Sequence, residues 1–185
     1  MSRINPSFVS KYENCFMRLT AFPPLAGNDA RILILGSMPG TRSLAENRYY
    51  AHPRNAFWRI ICDCAGEVTD DYDERKRLLL EAQWAVWDVL LHCERPGSLD
   101  ANIDTKTIVC NDFEEFLSSH QSIKTILFNG KAAETMFNKH IKNNAFFSSL
   151  KAKPELHYLP STSPAMASMS YEQKLLVWRS YLCHK

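Results

Sequence analysis

The chain has 185 residues, 45% of them hydrophobic and 23% charged, a balance that excludes wholesale disorder and permits one well-buried domain. A net charge of +2 excludes a histone-like polycation but leaves room for a local basic face that could meet nucleic acid. No apolar run approaches the roughly 18 residues that span a bilayer, and MSRINPSFVSKYENC lacks the order of a signal peptide, so a cytoplasmic, intracellular protein is expected.

The first 30 residues read as a helical segment and linker: Phe8, Val9, Tyr12, Phe16 and Leu19 recur at helical spacing, and PPLAGNDA (23–30) is punctuated by Pro and Gly. The whole chain, 1–185, is read as a single domain. Four short apolar runs follow: RILILG (31–36), WAVWDVLL (84–91), KTILFNG (124–130) and ELHYLPS (155–161). Their brevity and bounding turn residues suit buried parallel strands. Helical patterns lie between and after them, at NAFWRIICDCA (55–65), DERKRLLLEAQ (73–83), NDFEEFLSSH (111–120), KAAETMFNKHI (131–141) and SYEQKLLVWRSYL (170–182). Asn111 with Glu114, and Ser170 with Gln173, are placed as N-caps with capping-box partners. Asp70, Asp71 and Glu74 suit a solvated helix start, and His157, inside an apolar strand, suits a hydrogen-bonded core histidine.

Strands alternating with helices predict an α/β fold with a parallel sheet covered on both faces. Ligands of such sheets bind beyond the carboxyl ends of the strands. The loops there are GSMPG…HPRN, ERPGSLDANI, FNGK and PSTSPAMAS, and the richness of the first and last in Gly, Pro, Ser and Thr predicts one site built chiefly from those two. GSMPG lacks the Lys-Ser/Thr of a Walker A loop and the third Gly of a dinucleotide fingerprint. Ser37, Ser161 and Ser163 lie in no G-x-S-x-G elbow, and no histidine can be set beside them from spacing. The six Cys, at 15, 62, 64, 93, 110 and 183, show no metal-ligand clustering and read as reduced thiols.

GSMPG…YYAHPRNAFW taken with LPSTSPAMAS resembles the uracil-DNA glycosylase superfamily, and most closely its hypoxanthine-DNA (deoxyinosine) glycosylase family. The likeness runs from about Arg31 to Trp178 and includes WDVL, GSLDANI, NDF and FNGKAAE. It implies a three-layer α/β/α domain around a four-stranded parallel sheet. It also implies monofunctional base excision, without metal or cofactor, in DNA containing deaminated bases. A monomer is expected, nucleoid-associated when bound to DNA. The damaged nucleotide must be flipped, because its glycosidic carbon is inaccessible within the stack. Where uracil branches place a catalytic Asp or Asn, this chain has Met38; the hypoxanthine branch assigns catalysis to the Asn of HPRN, here Asn55. Ser161 stands where uracil enzymes often have His, and Met166 where members commonly carry a polar residue.

The resemblance thus gives a base pocket of Gly36, Ser37, Met38, Pro39, Gly40, Tyr49, Tyr50, His52 and Asn129, with the two tyrosines as walls and Asn55 holding a water. The DNA-binding set is Arg42, Arg54, Lys131, Ser161, Thr162, Ser163, Pro164, Ala165 and Met166, with Arg48 close by. Two other readings stay open: a uracil- or mismatch-directed glycosylase, and a DNA-binding module without catalysis.

Overall fold

The computed structural model describes residues 18–183. Its centre is a parallel sheet of β2 (Ile32–Gly36), β3 (Trp84–Asp88), β6 (Thr125–Asn129) and β7 (Glu155–Leu159), in the order β3-β2-β6-β7. Successive strand residues point to opposite faces, and both faces are covered. Leu33, Leu35, Ala85, Trp87, Ile126 and Phe128 pack with α4 (Phe113–Ser119) and α5 (Lys131–His140). Ile34, Trp84, Val86 and Leu127 pack on the other face with α2 (Phe57–Ala65), α3 (Tyr72–Glu81) and α7 (Tyr171–Leu182). This two-sided burial explains why the strands read as unbroken apolar runs, and the three-layer α/β/α architecture stands as expected.

A second, smaller sheet was not legible in the sequence. Strands β1 (Arg18–Thr20), β4 (Leu90–Glu94) and β5 (Val109–Cys110) form it in the order β1-β4-β5, with antiparallel pairings. Leu19 therefore lies in a strand rather than a helix, because it pairs with Cys93; the remainder of the predicted N-terminal helix lies outside the described residues. WAVWDVLL, read as one strand, changes sheet at Val89. The buried Asn111 side chain fixes that break by donating to the carbonyls of Asp88 (2.8 Å) and Leu90 (3.2 Å). Asn111 is thereby taken from the capping role predicted for it; Asp112 caps α4 by accepting from the Glu115 N–H at 2.9 Å.

The capping box at Ser170 and Gln173 is present, and Asp71 caps α3 at a solvated start. Short helices α1 (Thr41–Glu46) and α6 (Ala145–Ser149) had no clear periodicity. His157 is half-exposed and hydrogen-bonds Glu155 at 3.1 Å, so it is a partnered strand histidine rather than a core one. No helix among the described residues is long and apolar enough to cross a membrane.

Candidate active site

The carboxyl ends of β2, β3, β6 and β7 surround a cavity of about 210 Å³. A cavity of roughly 150 Å³ holds benzene, so this one admits a heterocyclic base. All nine residues expected in the base pocket line it, together with Asn55, Arg42 and Ser161–Pro164. Arg54, Lys131, Ala165 and Met166 do not. The first loop and the last do meet here, but the loop after β4 closes the cavity as well. Ser98 Oγ accepts from the Thr41 N–H (2.9 Å), and the buried Arg95 guanidinium donates to the carbonyls of Pro39 (2.5 Å) and Gly97 (3.0 Å). Asp100 Oδ2 accepts from Ser37 Oγ at 2.7 Å, and its other oxygen lies 3.5 Å from Arg95. The site is therefore built from four strand ends, not chiefly from two loops.

Gly36 is required by proximity. A Cβ there would overlap Asp88 Oδ1 and come within 3.2 Å of the Tyr50 hydroxyl. Tyr50 has φ +52°, a left-handed conformation that costs a bulky residue about 1–3 kcal/mol. Its ring stacks on Phe57 (centroids 3.9 Å apart), and the next residue is tied down by Ala51 N–H donating to Ser43 Oγ. Tyr49 is the scaffold beneath it: buried, with its hydroxyl donating to the Pro23 carbonyl at 3.0 Å and its own carbonyl taking the Trp58 indole N–H at 2.7 Å.

Asn129, at the end of β6, clasps the last loop. Its amide donates to Thr162 Oγ1 (2.9 Å) and accepts from the Thr162 N–H (2.8 Å), while the Thr162 carbonyl accepts from Ala56 N–H at 3.0 Å. The start of α2 is thus locked to the last loop. Gly130 permits the approach, at φ +99° and with Ser161 Cβ 2.8 Å from where a Cβ would stand. Asn55 lines the cavity; its Oδ1 accepts from the Phe57 N–H at 3.0 Å, which leaves the amide Nδ2 donors free among the described residues. His52 Nδ1 accepts from the Arg54 N–H at 3.1 Å, so in the neutral ring the proton sits on Nε2.

Asp88, Arg95, Asp100 and Ser98 went unread in the sequence, although WDVL and GSLDANI carry three of them; no periodicity separates a strand-end acid from a surface one. Asp88 is 4% exposed, and its Oδ2, like the Tyr50 hydroxyl, has no hydrogen-bond partner among the described residues. Burial pushes its pKa up to about 8; the nearby Asp100 adds to this and Arg95 opposes it. Burial raises the Asp100 pKa too, while Ser37 and Arg95 hold it down.

A groove beside the cavity is lined by Pro53, Arg54, Asn55, Ala56, Arg59, Thr162, Ser163, Pro164, Tyr171 and Lys174. Arg59 lies over the Tyr171 ring (3.6 Å to the centroid), and Lys174 donates to the Met166 carbonyl at 2.8 Å. Of the cations foreseen, Arg42 pairs with Glu46 (2.7 Å) and Lys131 with Glu134 (2.5 Å), whereas Arg54 stands exposed on the groove. Arg48 lies 5.1 Å from the Tyr72 ring centroid. In the last loop Pro164 and Ala165 are exposed and Met166 is half-buried.

A ring-sized cavity beyond the carboxyl ends of a parallel sheet, lined by both apolar and polar groups and flanked by an arginine-bearing groove, places the chain among α/β domains with a site at the strand ends. The family model described as the Uracil DNA glycosylase superfamily matches residues 23–181, and the chain belongs to that superfamily. It is similar to the Hypoxanthine DNA glycosylase of Methanosarcina barkeri (strain Fusaro / DSM 804), at 36% identity over 117 residues covering 62% of this chain and 73% of the relative. A Hypoxanthine DNA glycosylase of Methanosarcina acetivorans matches at 34% over 114 residues, 60% of this chain and 71% of the relative. Among solved structures, the solution NMR structure of a candidate uracil DNA glycosylase from Methanosarcina acetivorans superposes with a TM-score of 0.71 at 29% identity. That match covers 91% of this chain and all of the other.

Proposed function

We propose that this protein is a monofunctional DNA glycosylase that flips deoxyinosine from the helix and hydrolyses its N-glycosidic bond, releasing hypoxanthine. The observation that carries the reading is the convergence of the GSMPG turn, Asn55 and the last loop on one base-sized cavity, in a chain 36% identical to a Hypoxanthine DNA glycosylase. In the reaction the C1′–N9 bond breaks with its electron pair going to the base. Water oxygen bonds C1′, losing one proton, while the departing base gains one. Asn55 Nδ2 holds the water through a lone pair, and the second lone pair faces C1′. His52 lines the same cavity, and its Nε2–H serves as the donor for the departing base. An oxocarbenium-like centre needs a placed nucleophile more than a basic one, so fixed dipoles serve.

The exposed Arg54 and Arg59, with the Ser163–Pro164 turn, receive the DNA backbone, and Pro164 to Met166 face the gap left by the flipped nucleotide. We take the chain as one domain, 1–185, acting as a monomer without cofactor in the cytoplasm, on the nucleoid when bound to DNA. Incubation with duplexes bearing deoxyinosine, deoxyuridine or deoxyxanthosine, with free bases identified by mass spectrometry, tests this. Hypoxanthine should be released, with strand scission only after alkali. Release of uracil alone would favour the uracil-directed reading that the NMR structure's description supports, and binding without release would leave a non-catalytic module.

A further inference from the structure

We infer that Asp88 is a specificity-determining residue whose carboxyl group, presenting O–H and C=O side by side, engages the lactam edge of the extruded base. The inference rests on the glycosylase reading above. Asp88 closes β3 in register with Gly36, lines the cavity, and lays Oδ1 across the Gly36 Cα where no side chain intervenes. Its backbone carbonyl is held by the Asn111 amide, which fixes where β3 ends and the side chain departs. Oδ2 is enclosed without a partner among the described residues, which is costly for any carboxyl group unless a ligand completes it.

Among the charged and titratable groups facing Asp88, burial and Asp100 push toward the neutral acid and Arg95 opposes them. From the turn after β4, Asp100 brings a second negative charge; it, rather than Asp88, receives the Ser37 hydroxyl and lies 3.5 Å from Arg95. Arg95, from the end of β4, donates Nε and Nη2 to the carbonyls of Gly97 and Pro39, and its Nη1, which lies 3.5 Å from Asp100, has no hydrogen-bond partner among the described residues; its charge opposes the rise at Asp88. Tyr49 and Tyr50, from the first loop, are neutral phenols whose pKa values burial and Asp88 itself raise. A buried carboxylate without a counter-ion takes up a proton rather than remain charged. Of the two carboxyl groups, Asp100 has both the Ser37 hydroxyl and Arg95 to hold its pKa down, whereas at Asp88 only Arg95 opposes burial, so the proton resides more readily on Asp88.

A neutral carboxyl group offers one donor and one acceptor, the complement of the N1–H and C6=O of hypoxanthine. Ionised, it would repel the carbonyl and offer two acceptors, which suit the N1–H and 2-amino group of guanine. Holding the proton therefore favours the deaminated lactam over the guanine pairing. Adenine can be served by a rotated acid, so its rejection falls to the rest of the cavity.

Single-turnover excision of hypoxanthine between pH 6 and 10, for the parent, Asp88→Asn and Asp88→Ala, tests the assignment. The parent rate should fall as pH rises through about 8. Asp88→Asn keeps a donor and an acceptor, so it should retain at least roughly a tenth of the parent rate at pH 7 and lose that fall. Asp88→Ala should lose roughly 10²-fold, two hydrogen bonds left unmade in a dry site. The base N–H also titrates in alkali, but alike for all three proteins, so the difference between profiles reports Asp88. Carboxyl ¹³C NMR of the parent should show a midpoint above 7 at Asp88.

Asn as inactive as Ala, an Asn profile with the parent's fall, or an ordinary acidic midpoint would each overturn the inference. A parent protein inert on every deaminated base would instead overturn the glycosylase reading, and this one with it.

Discussion

Asn55 stands just ahead of α2 with its two amide ends in different employment. Oδ1 accepts from the Phe57 N–H two residues on, at the entry to α2, whose N-cap is Ala56, and the same bond leaves only donors for the reaction. Asn55→Ser keeps a capping oxygen but loses Nδ2. It should cost on the order of 10²–10³ in single-turnover excision, with duplex affinity unchanged and stability within about 1 kcal/mol of the parent. Parent-rate excision by the Ser variant, measured under saturating enzyme, would leave Asn55 as a cap alone. Gly36 makes a complementary case, where a methyl group is the whole perturbation. Gly36→Ala drives a carbon into Asp88 Oδ1 and crowds the Tyr50 hydroxyl, so overpacking should destabilise by about 1–3 kcal/mol. Thermal melts read that cost, and hypoxanthine excision should fall with it even at temperatures where the variant is folded.

Helix α7 acts on the site through the loop ahead of it. Its Trp178 indole N–H donates to the Pro160 carbonyl at 3.0 Å, and Lys174 donates to the Met166 carbonyl at 2.8 Å, so one helix grips both ends of the last loop. Lys174→Met fills the same space and removes only the donor. Fluorescence anisotropy should show binding to deoxyinosine duplex weakened roughly tenfold, one charged hydrogen bond lost, while the single-turnover rate at saturation stays near that of the parent. An unchanged dissociation constant would show that the grip is not what shapes the DNA contact.

The elements legible in advance are those with strong periodicity: the four core strands and five of the helices. What escaped depends on pairing partners distant in sequence. Val89 looks like any other strand valine until Asn111 fixes the carbonyls on either side of it. The β1–β4–β5 sheet has strands of two to five residues, too short for a period to register. The loop motifs disclosed the cavity's rim because Gly, Pro and His stand out, whereas Asp88, a lone acid in an apolar run, carries its meaning only through burial.

Taken whole, the molecule folds a carboxyl group into its centre without a dedicated counter-ion, and that choice has a global signature. Asp88 titrates near the ordinary 3.8 in the unfolded chain and at about 8 in the native one. Between those values the native state holds a proton that the unfolded chain has released, so stability falls as pH rises across the window and levels off above it. Asp100, also raised, adds to the same slope, while His140, lowered by burial and by Lys139, contributes the opposite slope around its ordinary value of 6.5. Comparing the parent with Asp88→Asn cancels the groups that do not interact with Asp88, His140 among them, and leaves Asp88 with its influence on Asp100. The two proteins should melt at similar temperatures at pH 4, and the Asn variant should become progressively the more stable as pH approaches 8. Calorimetric melts at half-unit intervals give the two curves. Parallel curves across pH 5–8 would mean that Asp88 is ionised in the native protein, and that its charge is compensated by a contact made only in solution.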